Sequence, residues 1–468
     1  MKTIAAISTA AAPGGIGVIR ISGDEARAVG DRVFKSVSGA KLCDMAGYTC
    51  RFGHVYAPDG ERLDECVATV FAAPHSFTGE EVVELSCHGG LFVLKAVLQA
   101  VFAAGAVSAA PGEFTRRAFL NGKMDLAQAE AVMQIISAQG REAMKAAQAG
   151  HDGALSRRIE KLRSDLTDIG AHLAAWADYP DDDIPQVDET MLKTRLAAGK
   201  TALKDLLAGF DGGRILREGV VTVIAGRPNA GKSTLMNLLA GCERSIVTDL
   251  AGTTRDVVEE TVLLGEIPLR LADTAGIRDT EDRVEQIGVR MALDRVKTAQ
   301  FVLAVFDASE ELNDDDRALM DAIGDTPAVA VINKSDLAPK IDRAEIDKHF
   351  KEIVTVSALS GEGLPALQNA AARALKTAEL NPNDGILYTE RQRADVQKAL
   401  TALEEAENAL LMGMTWDAVT VSLEGAIAAL NELTGERVSD AVVDQVFEKF
   451  CVCLLYTSDA ADDMQCVD

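Results

Sequence analysis

The chain has 468 residues, 48% of them hydrophobic, and a formal net charge of −25. That length predicts roughly two to four domains, and so strong an acidity makes general nucleic-acid affinity a poor default, so any RNA contact needs a local basic patch. No stretch reaches the roughly 18 uninterrupted apolar residues of a membrane span, and the apolar start Met1–Ile7 runs into Pro13-Gly14-Gly15 instead of a signal-peptide cleavage site.

Residues 1 to about 117 alternate strands and helices. Gly17–Ser22 reads as a strand, the segment after Gly23-Asp24 as a helix, and Glu65–Ala72 and Val82–Cys87 as further strands. Leu91–Ala104, interrupted by Lys95 and Gln99, reads as a buried helix. This predicts an N-terminal α+β domain over 1–117. From 118 to 216 apolar residues recur every three or four positions, through Ala127–Ala149, Leu155–Trp176 and Met191–Phe210, with a break at Tyr179–Pro185. From 217 to 377 the pattern becomes strand–helix–strand. Val220–Ala225, Leu269–Asp273, Phe301–Phe306, Ala328–Asn333 and Ile353–Val356 are mostly continuous apolar runs, as in a parallel sheet covered on both faces. After Asn381–Gly385 the chain is helical again over 378–452: Arg391–Met412, Trp416–Leu433, and a last helix capped by Ser439 with Val442, Val443, Val446, Phe447 and Phe450 on one face. The expected fold class is multidomain α/β, with the two helical stretches packing as one domain and the strand–helix segment inserted between them.

Charge is uneven along this order. Asp178 with Asp181–Asp183 and Asp314–Asp316 form acidic knots. Arg157-Arg158 with Lys161 and Arg163, and Arg391 with Arg393, are the candidate RNA patches, though a solvated helix face is the commoner meaning of such runs. The eight cysteines are scattered without a zinc-like C-x-x-C pair and the six histidines do not cluster, which suits free thiols in a reducing cytoplasm and no zinc or iron site.

Four short segments in the inserted region carry the chemistry. Gly226-Arg-Pro-Asn-Ala-Gly-Lys-Ser233 is G-x-x-x-x-G-K-[ST], a loop whose backbone N–H groups cradle phosphates, with Lys232 reaching the β/γ oxygens and the Ser233 hydroxyl ligating Mg²⁺. Thr253-Thr-Arg-Asp256 follows, then Asp273-Thr-Ala-Gly276, where Asp273 holds the metal through its outer shell and the Gly276 N–H meets a γ-phosphate. Asn333-Lys-Ser-Asp336 names the base: a carboxylate only accepts, so Asp336 matches the two donors on guanine's edge and repels adenine's acceptor. In this order and spacing the four point to a GTPase. Hydrolysis needs a placed water and stabilised charge. Ile277, just after the third segment, can do neither, so an acid or amide within Asp279–Gln286 is the candidate. No arginine can be assigned as a finger on spacing. A monovalent cation held by Asn229 and loop carbonyls is one solution; a loop-stabilising role for Asn229 is the other.

The domain order, with a cysteine near the end, resembles the bacterial tRNA uridine-modification GTPases of the MnmE (TrmE) family over residues 1 to 452. The matching motifs are Gly14–Arg20, Ser76–Glu80, Gly89-Gly90, Pro111–Phe114, Arg117–Asn121, Lys123–Glu130, Leu433–Glu436 and Phe450-Cys451. The resemblance implies a GTP-binding set of Asn229, Ala230, Gly231, Lys232, Ser233 and Thr234; Thr248, Asp249, Leu250, Ala251, Gly252, Thr253 and Thr254; Asp273, Thr274, Ala275 and Gly276; and Asn333, Lys334, Asp336, Ser357 and Ala358. It implies magnesium on Ser233 and Thr254. It also implies potassium on the Asn229 side chain and the backbones of Thr248, Leu250 and Thr253, with Glu285 orienting the water. It implies a tetrahydrofolate derivative, in the 5-formyl or methylene form, on Arg20, Glu84 and Lys123; without the family, Arg20 and Glu84 read as strand-surface charges. A functional Cys451 and cytoplasmic work on tRNA with an FAD-dependent MnmG (GidA) subunit are implied too, through a homodimer within a heterotetramer and without a membrane. A ribosome-assembly switch of Era or EngA type is the alternative, but neither a KH-like domain nor a second GTPase is visible. One departure stands out: Cys453–Asp468 replaces the family's short ending and its terminal lysine. This segment has no amphipathic period and reads like a frame change or adapter-derived sequence.

Overall fold

The computed structural model describes residues 1–10, 12–178, 188–242, 260–271, 296–378, 380–448 and 450. Among these residues two compact units form, one from those up to 133 together with those from 434 to 450, the other from those between 134 and 433. The segment 453–468 lies outside the described residues.

In the first unit the elements are β1 (Ile4–Ile7), β2 (Ile16–Ser22), α1 (Ala26–Val33), β3 (Phe34–Ser36), β4 (Thr49–Tyr56), β5 (Arg62–Phe71), β6 (Val82–His88), α2 (Leu91–Ala103), β7 (Val107–Ser108) and α3 (Glu113–Leu120). They build a seven-stranded sheet in the order β3-β4-β5-β6-β2-β1-β7. Every pairing is antiparallel except β1 with β7. Alternation explains which face is buried: on β5, Cys66, Ala68 and Val70 point into a core with Val29 and Val33 of α1 and Leu94, Val97 and Val101 of α2. The period-2 pattern therefore gives this sheet one helix-covered face. A second cluster joins Ala118 of α3 and Leu126 to Val443, Val446, Phe447 and Phe450, the apolar face expected of the last helix. Phe447 lies 6.3 Å from Phe119 and 4.8 Å from Phe450, ring centre to ring centre.

The helical stretch contains α4 (Leu126–Ser137), α5 (Arg141–His151), α6 (Ala154–Asp178), α7 (Glu189–Ala208) and α8 (Phe210–Glu218). The apolar period predicts a single helix over Ala127–Ala149. The structure instead breaks it at Ala138-Gln139-Gly140, where Gly140 is extended at φ −144° and ψ 166°. Alanine spacing carries straight through such a break and hides it.

The strand–helix region follows as β8 (Val220–Ala225), α9 (Lys232–Cys242), β9 (Glu260–Leu264), β10 (Ile267–Leu271), β11 (Phe301–Asp307), α10 (Asp314–Ile323), β12 (Ala328–Asn333), α11 (Arg343–Ile346), β13 (Ile353–Thr355) and α12 (Leu364–Ala374). The sheet order is β13-β12-β11-β8-β10-β9, parallel throughout except for the antiparallel β9–β10 hairpin. β9 is an edge strand that the apolar runs did not reveal. β11 is buried at every position, with Leu303 and Val305 facing Leu235, Leu239 and Leu367 on one side. On the other side Val302, Ala304 and Phe306 face Leu319, Met320 and Phe350. Burial on both faces is why these strands read as continuous apolar runs.

The chain closes with α13 (Glu390–Leu411), α14 (Trp416–Thr434) and α15 (Asp440–Glu448). α6, α7 and α13 meet at Gly199, where an added Cβ would lie 3.2 Å from Leu403 and 3.4 Å from Leu162. Lys200 pairs with Glu407 and Lys204 with Glu404 along the same seam. Trp176 and Trp416 meet edge to face at 6.2 Å. Four arginines of the candidate RNA patches are engaged within the fold. Arg158 donates to the carbonyls of Ala202 and Asp384, and Arg163 pairs with Glu160. Arg391 donates to Asp395 and to the carbonyls of Glu432 and Leu433, and Arg393 stacks on Phe210. Among the described residues no helix is long and apolar enough to cross a membrane.

Candidate functional site

The phosphate loop spans the turn from β8 to α9, the strand–loop–helix context its chemistry requires. Two glycines allow it. At Gly226 an added Cβ would fall 2.3 Å from the Val305 carbonyl oxygen. Gly231 has φ +96°, and a Cβ there would lie 2.1 Å from the Asn333 Nδ2. Between them Asn229 takes the left-handed conformation at φ +62° and stays exposed, so its amide is presented at the loop's apex. Lys232 donates through Nζ to the carbonyls of Gly226 and Arg227, both at 2.8 Å, and burial holds its pKa below the usual lysine range. Ser233 and Thr234 are exposed in the first turn of α9, where backbone N–H groups and the helix dipole favour an anion.

The base-naming segment begins at the last residue of β12, next to the phosphate loop. Asn333, 2% exposed, donates through Nδ2 to the Ala230 carbonyl at 2.9 Å and accepts the Ala358 N–H at 2.9 Å. One side chain thus joins three of the expected contact residues. Asp336 is exposed, and its Oδ1 accepts the hydroxyl of buried Ser357 at 2.7 Å. Lys334, at φ +62°, reaches Asp307 at 2.6 Å. Burial pushes the Asp307 carboxyl up, but hydrogen bonds from Lys334 and Ser309 outweigh it and hold the pKa below its ordinary value. Asp307 ends β11 and carries no motif of its own, so only the structure assigns it to this site.

Arg227 is a second residue that spacing did not single out. Its side chain is 9% exposed and pairs with Glu310 at 2.6 Å and with Asp316 at 3.7 Å. Asp316 is 2% exposed and forms the capping box of α10 with Asn313. Desolvation pushes its carboxyl up. The loop's only arginine is therefore turned toward α10 and fastens the loop to it.

In the first unit, Arg20 and Glu84 stand directly opposite each other on β2 and β6 and pair at 2.8 Å. The Arg20 guanidinium lies over the rings of Phe77 and Phe114, at 5.4 and 5.5 Å. Lys123 donates to the Pro74 carbonyl at 3.0 Å, so it meets the same loop that carries Phe77. That loop is fixed from below. Arg117, 3% exposed, reaches both oxygens of Glu80 at 3.0 and 3.1 Å and Glu113 at 2.8 Å. Asn121 donates to the Thr78 carbonyl at 2.7 Å. The Ser76–Glu80 and Arg117–Asn121 motifs are thus two halves of one support.

Thr248, Asp249, Leu250, Ala251, Gly252, Thr253, Thr254, Asp273, Thr274, Ala275, Gly276, Glu285 and Cys451 lie outside the described residues. Among the described residues no group of three or more His, Cys, Asp and Glu side chains is arranged to hold a metal ion.

Comparison with known proteins agrees across the chain. Residues 3–123 match the family model described as GTP-binding protein TrmE N-terminus, and residues 126–451 match the MnmE helical domain. The chain is 40% identical over 454 residues to the tRNA modification GTPase MnmE of Acetivibrio thermocellus, covering 96% of this chain and 98% of the relative. It is 42% identical to that of Heliobacterium modesticaldum, covering 96% and 99%. It is 40% identical to that of Bacillus subtilis, covering 97% and 100%.

Proposed function

Because this chain belongs to the MnmE (TrmE) family of tRNA modification GTPases, it is a GTP hydrolase of tRNA modification, and we propose that the modification is 5-carboxymethylaminomethyl addition at C5 of the wobble uridine. The reading includes an FAD-dependent partner of the MnmG type, a homodimer, and a cytoplasmic setting. One observation carries it: the likeness runs through the N-terminal unit and the helices as well as the nucleotide site. An Era- or EngA-type switch would be expected to share the GTPase portion alone.

The residues present suit the groups this reaction needs. The exposed Ser233 hydroxyl is a hard oxygen donor at a helix N-terminus, fit to hold magnesium together with Thr254. The exposed Asn229 amide offers an oxygen that would hold potassium with the backbones of Thr248, Leu250 and Thr253. Magnesium and potassium there would supply positive charge against the charge that builds on the transferred phosphoryl group. Lys232 and the N–H groups of the loop orient the triphosphate, Asp336 selects guanine, and Glu285 places the attacking water. Arg20, Glu84 and Lys123 suit a folate derivative. The guanidinium over Phe77 and Phe114 gives a charged, aromatic-walled surface for a flat ring carrying carboxylates.

Mass spectrometry of tRNA nucleosides from a strain lacking this gene tests the reading. The wobble modification is expected to vanish; an unchanged nucleoside profile overturns the reading. Glu285→Ala is expected to cut GTP turnover by roughly 10²-fold or more, the usual contribution of a positioned base. Nucleotide affinity, measured by equilibrium binding, should stay near the parent value, because the residue acts on water. A large loss of affinity would remove Glu285 from that role.

A further inference from the structure

The turn between β9 and β10 makes a contact that phosphate and base recognition do not use. Glu266 lies beside Gly265 at the tip of this hairpin, and its Oε2 accepts the backbone N–H groups of Arg141 at 2.7 Å and Glu142 at 3.2 Å. These are the first two residues of α5, whose N–H groups have no partner within the helix. The N-cap residue of α5 is Gly140, which has no side chain to cap with. Its bare Cα lets the hairpin come close: an added Cβ would lie 3.1 Å from the Glu266 carbonyl oxygen and 3.3 Å from Oε2. A helix of the helical stretch is therefore capped by a carboxylate from the GTPase sheet.

The position of the hairpin gives this cap its meaning. In the sequence β9 starts six residues after Thr254, and β10 ends two residues before Asp273, so the two strands connect the segments expected to sense the γ-phosphate. The ladder is continuous, from Leu271 opposite Glu260 to Ile267 opposite Leu264. A continuous five-residue ladder is stiff along its length, and it carries a displacement at its open end to the turn ~17 Å away. We propose that Glu266 is a coupling residue. Its carboxylate fastens the hairpin to the start of α5, so a nucleotide-dependent shift of the hairpin loosens or tightens the first turn of that helix. This rests on the GTPase reading above. A carboxylate is the suitable group, because a charge-assisted bond to a helix N-terminus is strong when made and weakens steeply as it lengthens.

Hydrogen exchange on the full chain tests the coupling, in GDP and in a non-hydrolysable GTP analogue, with nucleotide binding measured on the same samples. In the parent chain the amides at the start of α5 are expected to exchange at rates differing roughly fivefold between the two states, the scale of a helix cap made or lost. In Glu266→Ala the difference should disappear, while nucleotide affinity and basal GTP turnover stay near the parent values. Glu266→Gln keeps an acceptor without the charge and should retain part of the difference; it also serves if the alanine variant does not fold. Exchange at α5 that ignores the nucleotide in the parent chain overturns the proposal. So does a difference that survives undiminished in both variants, since the effect would then reach α5 without the carboxylate. Failure of the parent chain to bind nucleotide overturns the GTPase reading first, and the coupling with it.

Discussion

GTP turnover by this chain is expected to be fast in potassium and slow in sodium at equal ionic strength. The structure sharpens the reason. The transferred phosphoryl group needs positive charge beyond Lys232 and magnesium, and an arginine finger in that role contributes roughly 10³–10⁵ in rate. Arg227, the arginine of the phosphate loop, is held by Glu310 and Asp316 and points toward α10. Asn229 is exposed on the loop, in a backbone conformation that few residues other than glycine and asparagine adopt. Phosphate release measured in the two salts should therefore differ by orders of magnitude. Asn229→Ala should bring the potassium rate down to the sodium rate without abolishing nucleotide binding. Equal rates in both salts for the parent chain would show that no cation takes the finger's place.

Nucleotide choice is the second large effect. Ser357 donates to Oδ1 of Asp336, which orients the carboxylate and leaves its outer oxygen and remaining lone pairs for the base. Guanine presents two donors to that carboxylate, whereas xanthine presents one donor and one carbonyl. In Asp336→Asn an amide N–H replaces an acceptor, so it opposes guanine's exocyclic amine and pairs with xanthine's oxygen. Loss of a charge-assisted bond is expected to cost about 1.5–3 kcal/mol of GTP affinity, with a matching gain for xanthosine triphosphate. Competition binding reads both. A variant that keeps full GTP affinity would take Asp336 out of base recognition.

The nucleotide site was legible in the sequence because its constraints are local. Gly226, Gly231 and Lys232 are fixed by what a tight loop and a phosphate demand of adjacent residues, and the apolar run of β8 announces the strand beneath them. Asp307, Arg227 and Glu266 were not legible, because their partners sit far along the chain. Glu310 is 83 positions beyond Arg227, and Glu266 lies 125 positions beyond Arg141. Nothing in periodicity announces such a meeting. The same limit applies to Arg20 and Glu84: each strand was readable, but the register that sets one charge opposite the other is a property of the folded sheet. The break at Gly140 was missed for another reason. Alanine suits both sides of a helix break, and a glycine within a helical period does not by itself end it.

The Asn333 amide ties the Ala230 carbonyl of the phosphate loop to the Ala358 N–H, so on the nucleotide-binding reading proposed above the phosphate and base ends would form a linked system. Ordering either end lowers the cost of ordering the other, so the two halves of a nucleotide bind with a shared coupling free energy that neither half has alone. Guanosine and a bare triphosphate, each meeting only one end, gain only their own contacts. A complete nucleotide gains those and the linkage as well. On the same reading, discrimination at the base is expected to be felt at the phosphates, a wrong base weakening the grip on the group to be cleaved.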